Sequence, residues 1–154
     1  MAHYVVSMNS PMAVEDAFAY MADVTHFQEW DPGVTRAVRA GPMRIGVGAE
    51  YDLTVKAGGT TVMRYAVTEY EAPRRMKLVS RTPFLTSVDE IRVDPTPHGC
   101  TVTYDARLTL NGPLRLFDSL LGLALNRIGD RAAVGLQRVL KVGSTVSTGA
   151  VSAA

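Results

Sequence analysis

The sequence predicts an α+β domain in which a curved antiparallel β-sheet of about seven strands wraps around one long C-terminal helix. Three observations carry this prediction. Turn signals recur at short intervals from residue 34 to residue 110, apolar residues alternate between those turns, and a helical apolar pattern runs from residue 113 to residue 141. Because parallel strands need long crossover connections, strands joined by such short links are expected to form an antiparallel meander.

The chain is predicted to open with a strand and two short helices. Residues 3–9 alternate between apolar and polar side chains, as a half-buried strand does. Ser10 followed by proline is a typical helix start, and the helical spacing continues to about residue 22. Asp23 is expected to cap a second, shorter helix, which ends near Trp30 where the sequence Asp31-Pro32-Gly33 stops it.

Five later segments of the meander have the period-two pattern that assigns side chains to opposite faces of a sheet. The Gly58-Gly59 pair between the first two of them is a strong hairpin signal, since both turn residues tolerate positive φ. A β-bulge in any strand would reverse the assignment beyond it. These predicted strands span residues 50–56, 60–70, 75–81, 85–94 and 100–110.

The last helix is expected to cover the apolar face of the sheet. It is predicted over residues 113–141, where Asn111-Gly112-Pro113 marks its start. The chain of 154 residues fits one domain, assigned to residues 1–142. Residues 143–154 are small and polar without periodicity and are predicted to form a flexible tail.

Composition excludes several classes of protein. The net charge of +1 argues against a nucleic-acid-binding surface. The most apolar stretch, residues 114–125, is too short to cross a bilayer, so no integral membrane association is expected.

The single cysteine permits no internal disulfide and favours a reducing, cytoplasmic compartment. The three histidines show no metal-ligand spacing and no phosphate-binding loop is present, so neither a metal nor a cofactor is predicted.

Several local motifs, together with the order of elements, resemble the START-like (SRPBCC) superfamily. Within it they resemble the bacterial polyketide cyclase/dehydrase and lipid-transport group, over about residues 2–142. The resemblance implies the helix-grip fold and a bacterial source. It also implies one of three activities, namely aromatase/cyclase catalysis, binding of lipids or quinones, or association with other proteins. The motifs that carry it are residues 8–11, 23–33, 69–76, 99–104 and 112–114.

Strand parity and helical spacing together predict which side chains line a cavity between sheet and helix. Asp89 is the candidate for catalysis, because a carboxylate on an apolar face has a raised pKa and suits acid/base chemistry or ligand hydrogen bonding. A salt bridge to an arginine, or a bulge that turns Asp89 to solvent, are the structural alternatives. The predicted ligand-binding set is Tyr51, Leu53, Val55, Met63, Tyr65, Met76, Leu78, Asp89, Ile91, Val102, Tyr104, Ala106, Phe117, Leu121 and Ala124.

Three functional hypotheses follow. The first is a binding protein for a hydrophobic small molecule such as a lipid, a quinone or a polyketide-like compound. The second is an aromatase/cyclase or dehydratase-type enzyme that uses Asp89 with a tyrosine, or with Arg44 or Arg64. The third is a protein-interaction module with a filled interior. Whether the chain is an enzyme, and its oligomeric state, are left open at this stage.

Overall fold

A computed structural model describes residues 1–56 and 59–140, together with the backbone of residues 146–147. Within these residues, strands and helices follow the predicted order closely. The strands are β1 (Ala2–Ser10), β2 (Val34–Ala40), β3 (Glu50–Lys56), β4 (Thr60–Glu71), β5 (Arg75–Arg81), β6 (Leu85–Thr96), β7 (Gly99–Leu110) and β8 (Val146–Ser147). The α-helices are α1 (Val14–Ala22), α2 (Phe27–Trp30) and α3 (Asp118–Val139), and 3₁₀ turns span Val24–His26 and Gly112–Phe117.

The described strands form one curved antiparallel sheet, as predicted, with the order β2-β3-β4-β5-β6-β7-β1-β8. The short links of the meander join neighbouring strands from β2 to β7. The helices α1 and α2 carry the chain from β1 on one side of the sheet to β2 on the other. Long strands then run beside each other, and β6 pairs with β7 from Leu85 opposite Leu110 to Thr96 opposite Gly99.

Strand parity is correct along most of the inner face. The predicted inward residues of β5, β6 and β7 from Met76 to Ala106 are buried. One irregularity lies between β4 and β5, where the register shifts between Val67 and Glu69. This bulge brings Tyr70 to the inner face, where its ring packs 5.6 Å from the ring of Phe18.

Both predicted helix starts preceding α1 and α3 are too early. The first α-helix begins at Val14, because Ser10 remains in β1, where its hydroxyl donates to the carbonyl of Leu140 at 2.9 Å. The last α-helix begins at Asp118, since the segment after Asn111 forms a 3₁₀ turn first. By contrast, Asp23 accepts from the backbone N–H of Thr25, as its predicted capping role requires.

Two glycines allow α3 to lie very close to the elements beneath it. A Cβ atom at Gly129 would lie 2.5 Å from ring atoms of Tyr4, on β1. A Cβ atom at Gly135 would lie 1.9 Å from the backbone carbonyl oxygen of Trp30, on α2. Small residues thus let the helix approach closely, and leucines pack beside them, since its buried residues are Gly122, Leu125, Gly129, Ala132 and Leu136.

Two predictions concern residues at the edge of the described structure. Strands β3 and β4 pair up to Lys56 opposite Thr60, as the predicted hairpin requires, but Gly58 lies outside the described residues. The predicted tail, residues 143–154, also lies outside them except for β8, whose backbone pairs with Ser7 and Met8 of β1. In the described part of the chain, no helix has the length and hydropathy needed to span a membrane.

Candidate functional site

A cavity of about 160 Å³ lies between the inner face of the sheet and α3. It occupies one end of the sheet, while α1 packs over the other end against β6 and β7. The walls are mainly apolar because inward-facing strand residues meet the buried stripe of the helix. The apolar lining comes from Val34, Val55, Met63, Leu85, Ala106 and Leu108 on the sheet and from Leu121, Leu125, Ile128 and Ala132 on α3.

The most polar part of the wall is a hydrogen-bonded carboxyl group on β6. Asp89 is only 4% exposed and both of its oxygens accept hydrogen bonds. The Ser87 hydroxyl donates to Oδ1 at 3.0 Å, and the Tyr104 hydroxyl on β7 donates to Oδ2 at 3.0 Å. The pairing of β6 with β7 places Asp89 opposite Ala106, so Tyr104 reaches it from a diagonal position.

Burial gives this carboxyl an unusual protonation equilibrium. Removal from water raises the pKa of Asp89 from 3.8 to about 7, although the hydrogen bonds from Tyr104 and Ser87 lower it in part. The negative charges of Asp31 and Asp105 raise it further. The pKa of Tyr104 is raised well above 10 by burial and by the Asp89 charge, so this phenol stays protonated and donates. Asp89 therefore exchanges a proton near neutral pH.

A second carboxyl group, Asp31, faces the same cavity from the loop after α2. Its Oδ1 accepts from the backbone N–H of Gly33 at 2.8 Å. Burial raises the pKa of Asp31 above its ordinary value, and the Gly33 hydrogen bond opposes this shift. In the sequence, Asp31-Pro32-Gly33 predicts a helix stop and belongs to the motif of residues 23–33 that carries the family resemblance, but neither interpretation assigns Asp31 to the site. The signal that it also carries a site residue is weak, because an aspartate before proline and glycine commonly serves its own turn.

Six of the predicted ligand-binding residues do line the cavity: Val55, Met63, Asp89, Tyr104, Ala106 and Leu121. Seven others are buried in the adjoining core instead: Tyr51, Leu53, Tyr65, Met76, Leu78, Ile91 and Val102. All thirteen belong to the inner layer, but parity identifies a face of a strand and not the end of the strand at which space is left.

The prediction is wrong for two helix residues, Phe117 and Ala124, both of which are exposed. Phe117 ends the 3₁₀ turn and is 54% exposed, while Ala124 lies on the outer side of α3. The reason is that three of the five buried residues of α3 are Gly122, Gly129 and Ala132, small residues that contribute little to an apolar periodicity. Gly129 and Ala132 line the cavity for the same reason and were missed.

The proposed arginine partners of Asp89 also lie elsewhere. Arg64 is on the outer face of β4, where its Nε donates to Asp52 at 2.8 Å, and Arg44 is exposed in the loop after β2. Among the described residues, no salt bridge reaches Asp89, so the salt-bridge alternative is wrong as well. The hypothesis of an interaction module predicts a filled interior, and the cavity disfavours it.

Within the described ranges, no group of three or more His, Cys, Asp or Glu side chains is arranged to hold a metal ion. The histidines have other contacts. His3 Nε2 lies 2.9 Å from Asp105 Oδ1, and His26 Nδ1 lies 2.9 Å from the carbonyl oxygen of Tyr20.

Comparison with known proteins agrees with this architecture. The family model described as polyketide cyclase / dehydrase and lipid transport matches residues 1–141. The chain belongs to this family. The sheet, the short helices between β1 and β2 and the long C-terminal helix of this chain form the helix-grip fold.

Solved structures show the same fold at low sequence identity. A START superfamily protein from Mycobacterium smegmatis has a TM-score of 0.72 at 12% identity, covering 91% of this chain and 96% of that one. The protein MLL2253 from Mesorhizobium loti has a TM-score of 0.66 at 14% identity, with coverages of 90% and 96%.

A larger neighbour is the di-domain ARO/CYC StfQ from the steffimycin biosynthetic pathway. Its TM-score is 0.69 at 18% identity, and the match covers 91% of this chain but only 49% of that one. This member of the family therefore spans about half the length of StfQ. No curated protein matches the chain.

Proposed function

We propose that this protein binds a hydrophobic small molecule, such as a quinone, a lipid or a polyketide-like compound, in the cavity between the sheet and α3. The observation that carries the proposal is the combination of an apolar wall with one recessed polar cluster at Asp89. An apolar wall favours burial of a ligand's hydrocarbon surface, while a few fixed polar groups orient it. The single cysteine favours a reducing compartment, so we place this binding in the bacterial cytoplasm.

The size of the cavity narrows the expected ligand. Its volume of about 160 Å³ is close to the roughly 150 Å³ of an apolar cavity that accommodates benzene. One ring or a short chain fills such a space. A larger ligand would extend beyond this volume.

Native mass spectrometry of protein purified without detergent tests this function directly. A retained small molecule, or uptake from a panel of quinones and short lipids, is expected. Trp30 provides a second readout, because its ring packs 5.3 Å from the ring of Tyr104, a cavity residue, and it is the only tryptophan. Its fluorescence is expected to change when the cavity fills.

A matched pair of variants makes the test specific to the cavity. Ala132→Leu adds volume on the cavity side of α3, whereas Ala124→Leu adds the same atoms to the exposed side of the same helix. Ala132→Leu is expected to abolish uptake and Ala124→Leu to preserve it. Absence of uptake by the unmodified protein across the panel, or equal uptake by both variants, would refute the proposal.

A second candidate function is acid/base catalysis on a polyketide-like substrate. It is favoured by the pKa of about 7 at Asp89, because a group that exchanges its proton near neutral pH is suited to this role. The expected result is turnover that falls at least about 100-fold in Asp89→Asn, with a pH profile that follows the titration of this carboxyl. Unchanged turnover in that variant would exclude Asp89 as the acid/base.

A further inference from the structure

The hydroxyl groups that line the cavity have no free protons to offer a ligand. Ser87 and Tyr104 both donate to Asp89. The hydroxyl of Tyr4, on the wall formed by β1, donates to Asp130 at 3.4 Å. A hydroxyl has one proton, so each of these groups retains only acceptor capacity toward the interior.

The remaining polar side chains on the wall are the carboxylates Asp31 and Asp89 and the exposed ammonium group of Lys56. Asp31 and Asp89 both line the cavity, and the negative charge of Asp31 contributes to the raised pKa of Asp89. In the described part of the chain, neither forms a salt bridge, and the Gly33 N–H is the donor seen at Asp31. The apolar wall thus encloses two carboxyl groups and no internal cation.

The other charged and titratable groups near Asp89 do not change this balance. Tyr65 on β4 and Asp105 on the outer face of β7 are neutral or negative. The α3 wall is formed by uncharged residues. Lys56 is the one cation that contacts the cavity among the described residues, and its exposed side chain lies at the end of β3. Among the described residues, the positive charge at the cavity therefore belongs to an exposed side chain, and no buried residue of the wall carries one.

We propose that the cavity selects a hydrophobic amine, whose ammonium group lies against Asp31 and Asp89 while its apolar body packs on α3. This inference rests on the proposed binding function and specifies its ligand class. A cation offsets the cost of holding carboxylates in an apolar site, whereas a neutral alcohol supplies a hydrogen bond without charge. An anionic ligand is repelled by both carboxylates. The cavity volume limits the apolar body to about one ring.

Three probes of nearly equal shape separate this inference from the binding function: benzylamine, benzyl alcohol and toluene. At pH 8 benzylamine is expected to bind at least about tenfold more tightly than either neutral probe, measured by calorimetry and by Trp30 fluorescence. Its advantage is expected to shrink at pH 5.5, because Asp89 then carries a proton while the amine remains charged. The affinity of toluene is expected to change little between the two pH values.

Variants identify the groups responsible. Asp89→Asn and Asp31→Asn are each expected to weaken benzylamine binding at least about tenfold and to leave toluene binding within about twofold. Ala132→Leu is expected to abolish binding of all three probes, which excludes attachment of the amine to the surface. Two carboxylate variants are used so that a folding defect in one of them leaves the other as the test.

The outcomes distinguish the two proposals. If toluene binds in a manner that Ala132→Leu abolishes, but benzylamine binds no better, the amine inference is wrong and the binding function stands. If none of the three probes binds but the quinone and lipid panel is taken up, the amine inference is wrong and the binding function stands; if the panel is not taken up either, both are wrong. Tight benzylamine binding that persists in both carboxylate variants also overturns the inference.

Discussion

The burial of Asp89 makes a quantitative prediction about stability and pH. The pKa of this carboxyl is about 7 in the folded protein and 3.8 as its ordinary value. Between these limits the native state holds a proton that the unfolded state has released. The free energy of unfolding is therefore expected to fall as the pH rises from about 4 to about 7.

The magnitude follows from the size of the shift. A difference of about three pKa units at about 1.4 kcal/mol per unit gives a loss of roughly 4 kcal/mol across this range. The contribution of Asp89 is complete below its unfolded pKa and is lost as the pH passes its folded pKa. Asparagine has the shape of the protonated acid and does not titrate, so Asp89→Asn lacks this loss.

The assay is urea denaturation of the native protein and Asp89→Asn at intervals from pH 4.5 to pH 8, followed by the fluorescence of buried Trp30. The difference between the two proteins is the measured quantity, since contributions of other groups are common to both. Between pH 4.5 and pH 8, Asp89→Asn is expected to gain roughly 3 kcal/mol relative to the native protein, because the remainder of the loss falls below pH 4.5. Asp94→Asn, on the exposed side of the same strand, serves as the matched control.

A difference that stays constant with pH would refute this reasoning. It would mean that Asp89 is charged in the folded protein throughout, with its charge compensated by Ser87 and Tyr104. A difference of opposite sign would mean that the hydrogen bonds outweigh the burial. Because Asp94 is exposed, Asp94→Asn is expected to stay folded and to serve as the control at every pH.

Three further predictions concern stability. Gly135→Ala is expected to destabilise the protein by about 1–3 kcal/mol or more, because the added Cβ would lie 1.9 Å from the backbone oxygen of Trp30. Urea denaturation measures this loss, and an unchanged unfolding midpoint would contradict the close approach. Ser10→Ala is expected to cost about 1–3 kcal/mol in the same assay, since it removes the buried hydrogen bond to the carbonyl of Leu140, and a cost near zero would argue against that bond. Leu120→Gln replaces a side chain that is 63% exposed and is expected to change stability by less than about 0.5 kcal/mol in the same assay; a large loss of stability would show that this leucine is packed.

The local pattern of the sequence predicted the inner face of the sheet well. Alternation placed Ser87, Asp89 and Ile91 on one side of β6, and all three are buried. It did so because side-chain direction in a strand depends only on the count of residues until a bulge intervenes. The bulge near Val67 changes this count, and no residue pattern in the sequence predicted that it would turn Tyr70 to the inner face.

The face that α3 presents to the sheet was harder to predict. Apolar spacing predicted that Phe117 and Ala124 face the sheet. The buried stripe of the helix contains Gly122, Gly129 and Ala132 instead. A glycine adds nothing to a hydrophobic periodicity, yet it permits the closest contact between backbones. The role of such a glycine can be recognised only when the group packed against it is known. For Gly129 that group is the ring of Tyr4.

The sequence by itself determined the fold class, the order of the elements, the inward position of Asp89 and the family resemblance. All of these depend on short-range patterns, on turn residues and on motifs that neighbouring residues carry together. The tertiary structure alone decided where empty space is left, and that Asp31 shares it with Asp89 although 58 positions separate them along the chain. A cavity is a property of how distant surfaces meet, so no local pattern contains it.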